Sequence, residues 1–318
     1  MTRGKIGIAL GGGAARGWAH IGVLRALIQA GIKPDIIAGT SIGAVVGGCF
    51  SAGRLDELEG FARDLTRRKV FGFLDFNLSG AALISGHRLV ERLEHHLAGV
   101  AIEQLPNRFV AVVTEIGTGH ETWLTRGSLS DAMRASYAIP GVLKPMRIGG
   151  RWLFDGALVN PVPVSVCRAL GARYVIAVNL NADLHGRTTV IVDPGTDPDD
   201  QDIEIAAERP PASVVGGAGR LIRRQLFGDG DSANGPGIST VMVEAFNIVQ
   251  DRIARSRLAG DPPDAMISPR LAGLGMLDFH HADELIRRGM TAALREVDDI
   301  RREIKARSRA SARAPHYA

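Results

Sequence analysis

Three short stretches of the 318-residue chain carry residue types that could do chemistry together. Gly39-Thr40-Ser41-Ile42-Gly43 has the pattern G-x-S-x-G, and it stands between an apolar strand and a helical run. A serine on such a turn is exposed for nucleophilic attack, and small residues on both sides relieve the crowding. The helix that follows points its N-terminus at the serine and favours a developing negative charge. Gly11-Gly12-Gly13-Ala14-Ala15-Arg16-Gly17 also falls between a strand and a helix. Such a loop can turn several backbone N–H groups toward one anion, either a tetrahedral oxyanion or a phosphate. A P-loop is disfavoured because no Gly-Lys-Ser/Thr follows. G-x-G-x-x-G is not met either: from Gly11 the sixth residue is Arg16, and from Gly12 the third is Ala14. A plain tight turn is the alternative. The third stretch is Asp155-Gly156. An ordinary aspartate, with a pKa near 4, is a poor base for a hydroxyl. Burial beside Trp152 and Phe154 would raise it, and Gly156 would let the chain turn so that the carboxylate reaches the serine. A turn-capping aspartate is the competing reading.

His20 is the candidate for a third catalytic member. It precedes the core-facing Ile21 on the helix after the glycine loop, and a structural histidine is the better reading. Arg16 could fix the loop through its guanidinium fork. Asn160 would either hold the Asp155 turn or open the next helix ahead of Pro161.

In order and spacing, the glycine loop with Arg16 and Gly17, the Ser41 turn and Asp155-Gly156-Ala157 resemble the patatin-like phospholipase family. So do Ala135-Ser136-Tyr137-Ala138-Ile139-Pro140 and the run from Asp155 to Pro161. The resemblance covers roughly residues 5 to 180, and the nearest likeness is to bacterial members. It implies an α/β fold, three-layer α/β/α with a mainly parallel central sheet. It also implies hydrolysis of lipid acyl esters by a Ser41–Asp155 dyad, with no metal and no cofactor. The oxyanion loop would comprise Gly11, Gly12, Gly13, Ala14 and Arg16, and Gly39, Gly43 and Gly156 would support the motifs. Ala14 stands where the family more commonly has glycine, so the N–H groups that face the oxyanion are left open. The rival reading is a catalytically weak protein that senses a lipid or acyl ligand in the same pocket. An acyltransferase would need a histidine partner that the sequence does not place.

The elements needed to position these residues are legible as alternating apolar runs and helical patterns, the sign of βα units. Strands are expected at Lys5–Leu10, Asp35–Ala38, Phe109–Thr114, Thr122–Thr125, Tyr174–Leu180 and Ala265–Ser268. Helices are expected from Trp18 until Gly31 and Pro34 end the run, then at Ile42–Ala52, Leu55–Arg67, Ser128–Tyr137, Val241–Leu258 and His281–Lys305. Ser85 reads as a cap before Leu89, Leu93 and Leu97. Ile148-Gly149-Gly150-Arg151 reads as a two-residue hairpin turn leading into Asp155. One domain is expected over 5–305. An irregular insertion at about 183–237 interrupts it, with an amphipathic island from Arg220 to Phe227 that could meet a lipid surface. Residues 306–318 read as a frayed basic tail.

Composition sets the frame. The chain is 45% hydrophobic and 23% charged, with 39 non-periodic glycines and a net charge of +4, which is ordinary for a globular protein. Cys49 and Cys167 suit buried thiols in a reducing compartment. Adjacent histidines at 95–96 and 280–281 do not share a helix face, which argues against metal binding. The Ile6–Leu10 run is too short for a signal peptide. Ile36–Ala52 is apolar enough to suggest a membrane span, but the Ser41 turn interrupts it. These features predict a cytoplasmic protein with peripheral contact at the inner face of the membrane. Its partner would be a lipid or acyl-ester substrate, with no nucleic acid; the oligomeric state is left open.

Overall fold

A computed structural model describes residues 4–66, 68, 97–140, 142–183 and 238–313. The expected Ser85 cap and the Arg220–Phe227 island lie outside the described residues. The chain divides into one compact unit of Met1–His185 with Gln250–Ala318 and a second of Gly186–Val249. Of the second, residues 238–249 are described.

The strands are β1 (Ile6–Leu10), β2 (Ile36–Thr40), β3 (Arg108–Glu115), β4 (Glu121–Leu124), β5 (Met146–Ile148), β6 (Arg151–Asp155), β7 (Tyr174–Val178) and β8 (Ala265–Ile267). They form one sheet in the order β5-β6-β3-β2-β1-β7-β8, with β4 paired to β3. The run from β3 through β2, β1 and β7 to β8 is parallel. The β4, β5 and β6 pairings are antiparallel, and the β5–β6 hairpin turns at Gly149-Gly150 as expected.

The helices are α1 (Trp18–Gln29), α2 (Ile42–Ser51), α3 (Leu55–Arg63), α4 (Leu129–Ser136), α5 (Val164–Ala169), α6 (Ile238–Gly260) and α7 (Ala282–Arg313). Because side chains alternate along a strand, the sheet has two apolar faces. Ile8, Leu10, Ile37, Phe109 and Ile176 pack with Trp18, Ile21 and Leu24 of α1, Val45 of α2, Leu58 of α3 and Leu285 of α7. Ala9, Ile36, Ala38, Val110 and Val175 pack on the other side with Val164, Val166 and Cys167 of α5 and Ala254 of α6. This is the three-layer α/β/α arrangement. A side chain at Gly22 would run into the backbone of Ile286, and one at Gly289 into that of Ala19, so these glycines let α1 and α7 cross closely.

The residues from Ile36 to Ala52, which could be mistaken for a membrane span, are β2, the Ser41 turn and α2. No helix among the described residues is long and apolar enough to cross a membrane. The last helix does not end at about Lys305 but runs on to Arg313. Arg307 explains part of the extension. It donates to the Arg173 carbonyl at 3.0 Å, pairs with Asp264 at 2.6 Å and lies over the Tyr174 ring. The start of the basic stretch is thereby anchored to the sheet instead of fraying.

Candidate active site

The site lies where parallel strands end, at the carboxyl edge of β1 and β2, the usual place for a ligand in an open α/β sheet. Strand β2 runs to Thr40, two residues further than the apolar pattern indicated, so Ser41 follows the sheet directly. Ser41 takes φ 56° and ψ −128°, a strained conformation for a residue with a side chain. The motif glycines make that turn fit. A side chain at Gly39 would strike the Gly43–Ala44 backbone, and one at Gly43 the Leu10 carbonyl. The Ser41 N–H donates to Ser136 Oγ at 2.9 Å, and Ser136 Oγ donates to the Val112 carbonyl at 2.7 Å. Thr40 Oγ1 donates to the Asn160 carbonyl at 2.8 Å. The elbow is thus tied to α4, β3 and the segment after Asp155.

Asp155 ends β6, with its backbone paired to Val113 of β3. Ser41 Oγ donates to Asp155 Oδ2 at 2.6 Å, and the Ala157 N–H donates to Asp155 Oδ1 at 2.8 Å. Thr114 Oγ1 holds the Asp155 carbonyl at 2.8 Å. Gly156 passes so close to the Val112 carbonyl that a side chain there would collide. Asp155 is fully buried and Ser41 is 4% exposed. Burial pushes the Asp155 carboxyl up to about 7, against the opposing pull of the Ser41 hydroxyl and the Ala157 N–H. Trp152, expected to supply that burial, is half exposed. Strand alternation explains the difference: Leu153 and Asp155 point inward, whereas Trp152 and Phe154 point the other way. The sheet and the turn after Asp155 desolvate the carboxylate instead.

The glycine loop leads from β1 into a 3-10 turn over Ala14–Gly17. Not all of its N–H groups are available to a ligand. Gly11 donates to the Val178 carbonyl, Gly12 to Pro161, Ala15 to Met276 and Arg16 to Gly13. Among the described residues no acceptor takes the N–H of Gly13 or Ala14, and these two are the candidate oxyanion donors. Ala14 has φ 47°, which explains why glycine is commoner there. Arg16 braces the loop: Nε donates to the Leu274 carbonyl at 2.9 Å and Nη1 to Asn181 Oδ1 at 3.3 Å.

His20 is buried on α1 and its Nε2 lies 2.8 Å from the Gly11 carbonyl. A carbonyl only accepts, so Nε2 carries the proton and donates. Burial lowers the His20 pKa to about 4, so the ring is neutral and holds the loop from below. Asn160 Nδ2 donates to Glu121 Oε1 at 2.8 Å and Ser165 Oγ at 3.1 Å, while its backbone carbonyl serves the elbow.

Three neighbours were not singled out for roles from the sequence. Ser136 lies within the family-like run Ala135–Pro140, and Leu274 and Asn181 have no motif to signal them. His280 and His281 stand in a 3-10 turn with ring centroids 4.1 Å apart. The expectation that the pair would point apart, drawn from α-helix geometry, does not hold. Asp278 joins them in a partly exposed cluster of ligand-type groups.

Comparison with known proteins agrees with this architecture. Residues 8–168 match the family model described as patatin-like phospholipase. An uncharacterized NTE family protein of Mycobacterium tuberculosis is 34% identical over 335 aligned residues, 93% of each chain. A second one from that organism is 30% identical over 91% of this chain and 46% of its own. Neuropathy target esterase of Drosophila melanogaster is 32% identical over 57% of this chain, but only 13% of its own length. The glycine loop, the elbow and the buried aspartate all fall within the matched region, and the chain belongs to the patatin-like phospholipase family of carboxylic ester hydrolases.

Proposed function

We propose that the protein is a lipid acyl hydrolase working through Ser41 and Asp155. The single observation that carries this reading is the 2.6 Å hydrogen bond from Ser41 Oγ to a buried carboxylate. Asp155 takes the hydroxyl proton as Oγ attacks the ester carbonyl carbon. The carbonyl oxygen becomes the oxyanion and is met by the Gly13 and Ala14 N–H groups. Collapse breaks the ester C–O bond, and Asp155 returns the proton to the departing alcohol. Water then attacks the acyl-serine with the same carboxylate as base, releasing a carboxylic acid and restoring Ser41. A lipid substrate requires contact with a membrane or micelle surface, so peripheral membrane association is part of the proposal. The test is hydrolysis of a panel of p-nitrophenyl esters and phospholipids, with Ser41→Ala as control. Turnover that depends on Ser41 supports the reading. Ligand binding without turnover would favour lipid sensing.

A further inference from the structure

Gln250 lies on α6 within the unit that carries the site, and it is 1% exposed. Among the described residues neither its Nε2 nor its Oε1 has a hydrogen-bond partner. A buried carboxamide with both ends unpaired is costly and rare in a folded protein. Its position gives the cost a purpose. A methyl group placed on Gly12 would lie 3.0 Å from Gln250 Oε1 and 3.6 Å from Ser41 Cβ. The orphan amide therefore borders the oxyanion loop, one side chain's breadth from the nucleophile. With no partner holding either end, a half turn of the terminal torsion exchanges Oε1 and Nε2.

Taking the Ser41–Asp155 reading as its basis, we infer that Gln250 is a substrate-binding residue whose Nε2–H donates to an oxygen of the scissile ester, beside the Gly13 and Ala14 N–H groups. The chemistry of the substrate selects the donor end. An ester group offers two oxygens and no N–H or O–H, so only the amide N–H can be satisfied by it. The interaction grows as the carbonyl oxygen gains charge, which places its effect on kcat more than on KM. The arrangement trades stability for function, as a group left unpaired in the free protein and paired in the complex must.

The test is Gln250→Met, which keeps the length of the side chain and removes its polar atoms, with Gln250→Leu as a second variant. On a p-nitrophenyl ester, kcat should fall by roughly 100-fold with KM little changed, and the acylation step should slow with it. Tm should hold or rise, because the orphan amide is gone. Unchanged kcat overturns the inference. So does a parallel fall of Tm and kcat in both variants, which marks a structural glutamine. A pre-steady-state burst larger than wild type also overturns it, because the amide would then serve the hydrolytic water. Failure of the underlying dyad has a separate signature: Ser41→Ala and Asp155→Asn would retain turnover. Failure of this inference alone leaves those two variants severely impaired and Gln250→Met as active as wild type.

Discussion

Ser41 and Asp155, 114 residues apart in sequence, share a 2.6 Å hydrogen bond in a site where the carboxylate is fully buried. Strand β3 brings them together: Ser41 follows β2, Asp155 ends β6, and β3 lies between and pairs with both. The serine is held in a strained turn and the aspartate is buried, which are the departures from ordinary geometry and solvation that the proposed reaction would use.

Asp155→Asn keeps the shape and the bond from Ala157 but removes the proton acceptor. Its kcat is expected to fall by about two to four orders of magnitude. Stability should move the other way. The folded pKa of Asp155 is raised to about 7. Its contribution to stability is therefore complete below the unfolded value near 4, and is lost as pH rises through 7. The rise corresponds to roughly 4 kcal/mol at pH 8. Melting of both proteins across pH 4 to 8 should show the variant gaining on wild type as pH increases. A gap that stays constant with pH would argue against a buried, titrating carboxylate.

The rate should depend on pH through the same group. On the proposed reading Asp155 serves as base only when ionised, so kcat/KM is expected to rise with pH through an acid limb near 7. That limb should survive His20→Gln, because His20 is engaged with Gly11 and stays neutral above about pH 4. The substitution should act through stability, costing about 1 to 3 kcal/mol if the bond to Gly11 is lost. A pH–rate profile of the variant with its acid limb abolished would require a histidine base.

Ser136→Ala would leave the buried Ser41 N–H and the Val112 carbonyl without their shared partner. A loss of about 1 to 3 kcal/mol is expected in denaturant unfolding. A lower kcat should accompany it as the elbow loosens.

In the glycine loop, Ala14→Gly should raise stability by about 1 kcal/mol, because Ala14 occupies a left-handed conformation at φ 47°. Gly12→Ala should act differently from the loss of a donor. The Gly12 N–H already serves Pro161, and the added methyl would enter the space between Ser41 and Gln250. A kcat lowered by one to three orders of magnitude is expected, roughly the range for disturbing an oxyanion hole. Wild-type kcat in a folded Gly12→Ala protein would place the reacting carbonyl elsewhere.

The parts legible in the sequence were those encoded locally. The elbow sits in the five residues from Gly39 to Gly43, and the parallel strands of the sheet read as apolar runs because both faces of the sheet are covered. Asp155 was legible through Gly156 and its block of neighbours. What desolvates it was not, because Trp152 and Phe154 adjoin it in sequence but face away in the strand. Ser136 reaches the Ser41 N–H from 95 residues away, a pairing that only the finished fold creates. Gln250 was hidden by its own helix: Gln250 and Asp251 are polar yet buried, so hydrophobic periodicity assigns them to the wrong face. The end of α7 was misread for a related reason. A run of arginines reads as solvated, and the partners of Arg307, Asp264 and Tyr174, are far off in the chain.

The most direct test of the central claim is mass mapping after exposure to a fluorophosphonate, run on wild type, Ser41→Ala and Asp155→Asn. Wild type should carry one stoichiometric adduct, on Ser41. Ser41→Ala should carry none, and Asp155→Asn should label far more slowly. An adduct on another serine, or an unlabelled Ser41 in protein that hydrolyses esters, would contradict the assignment.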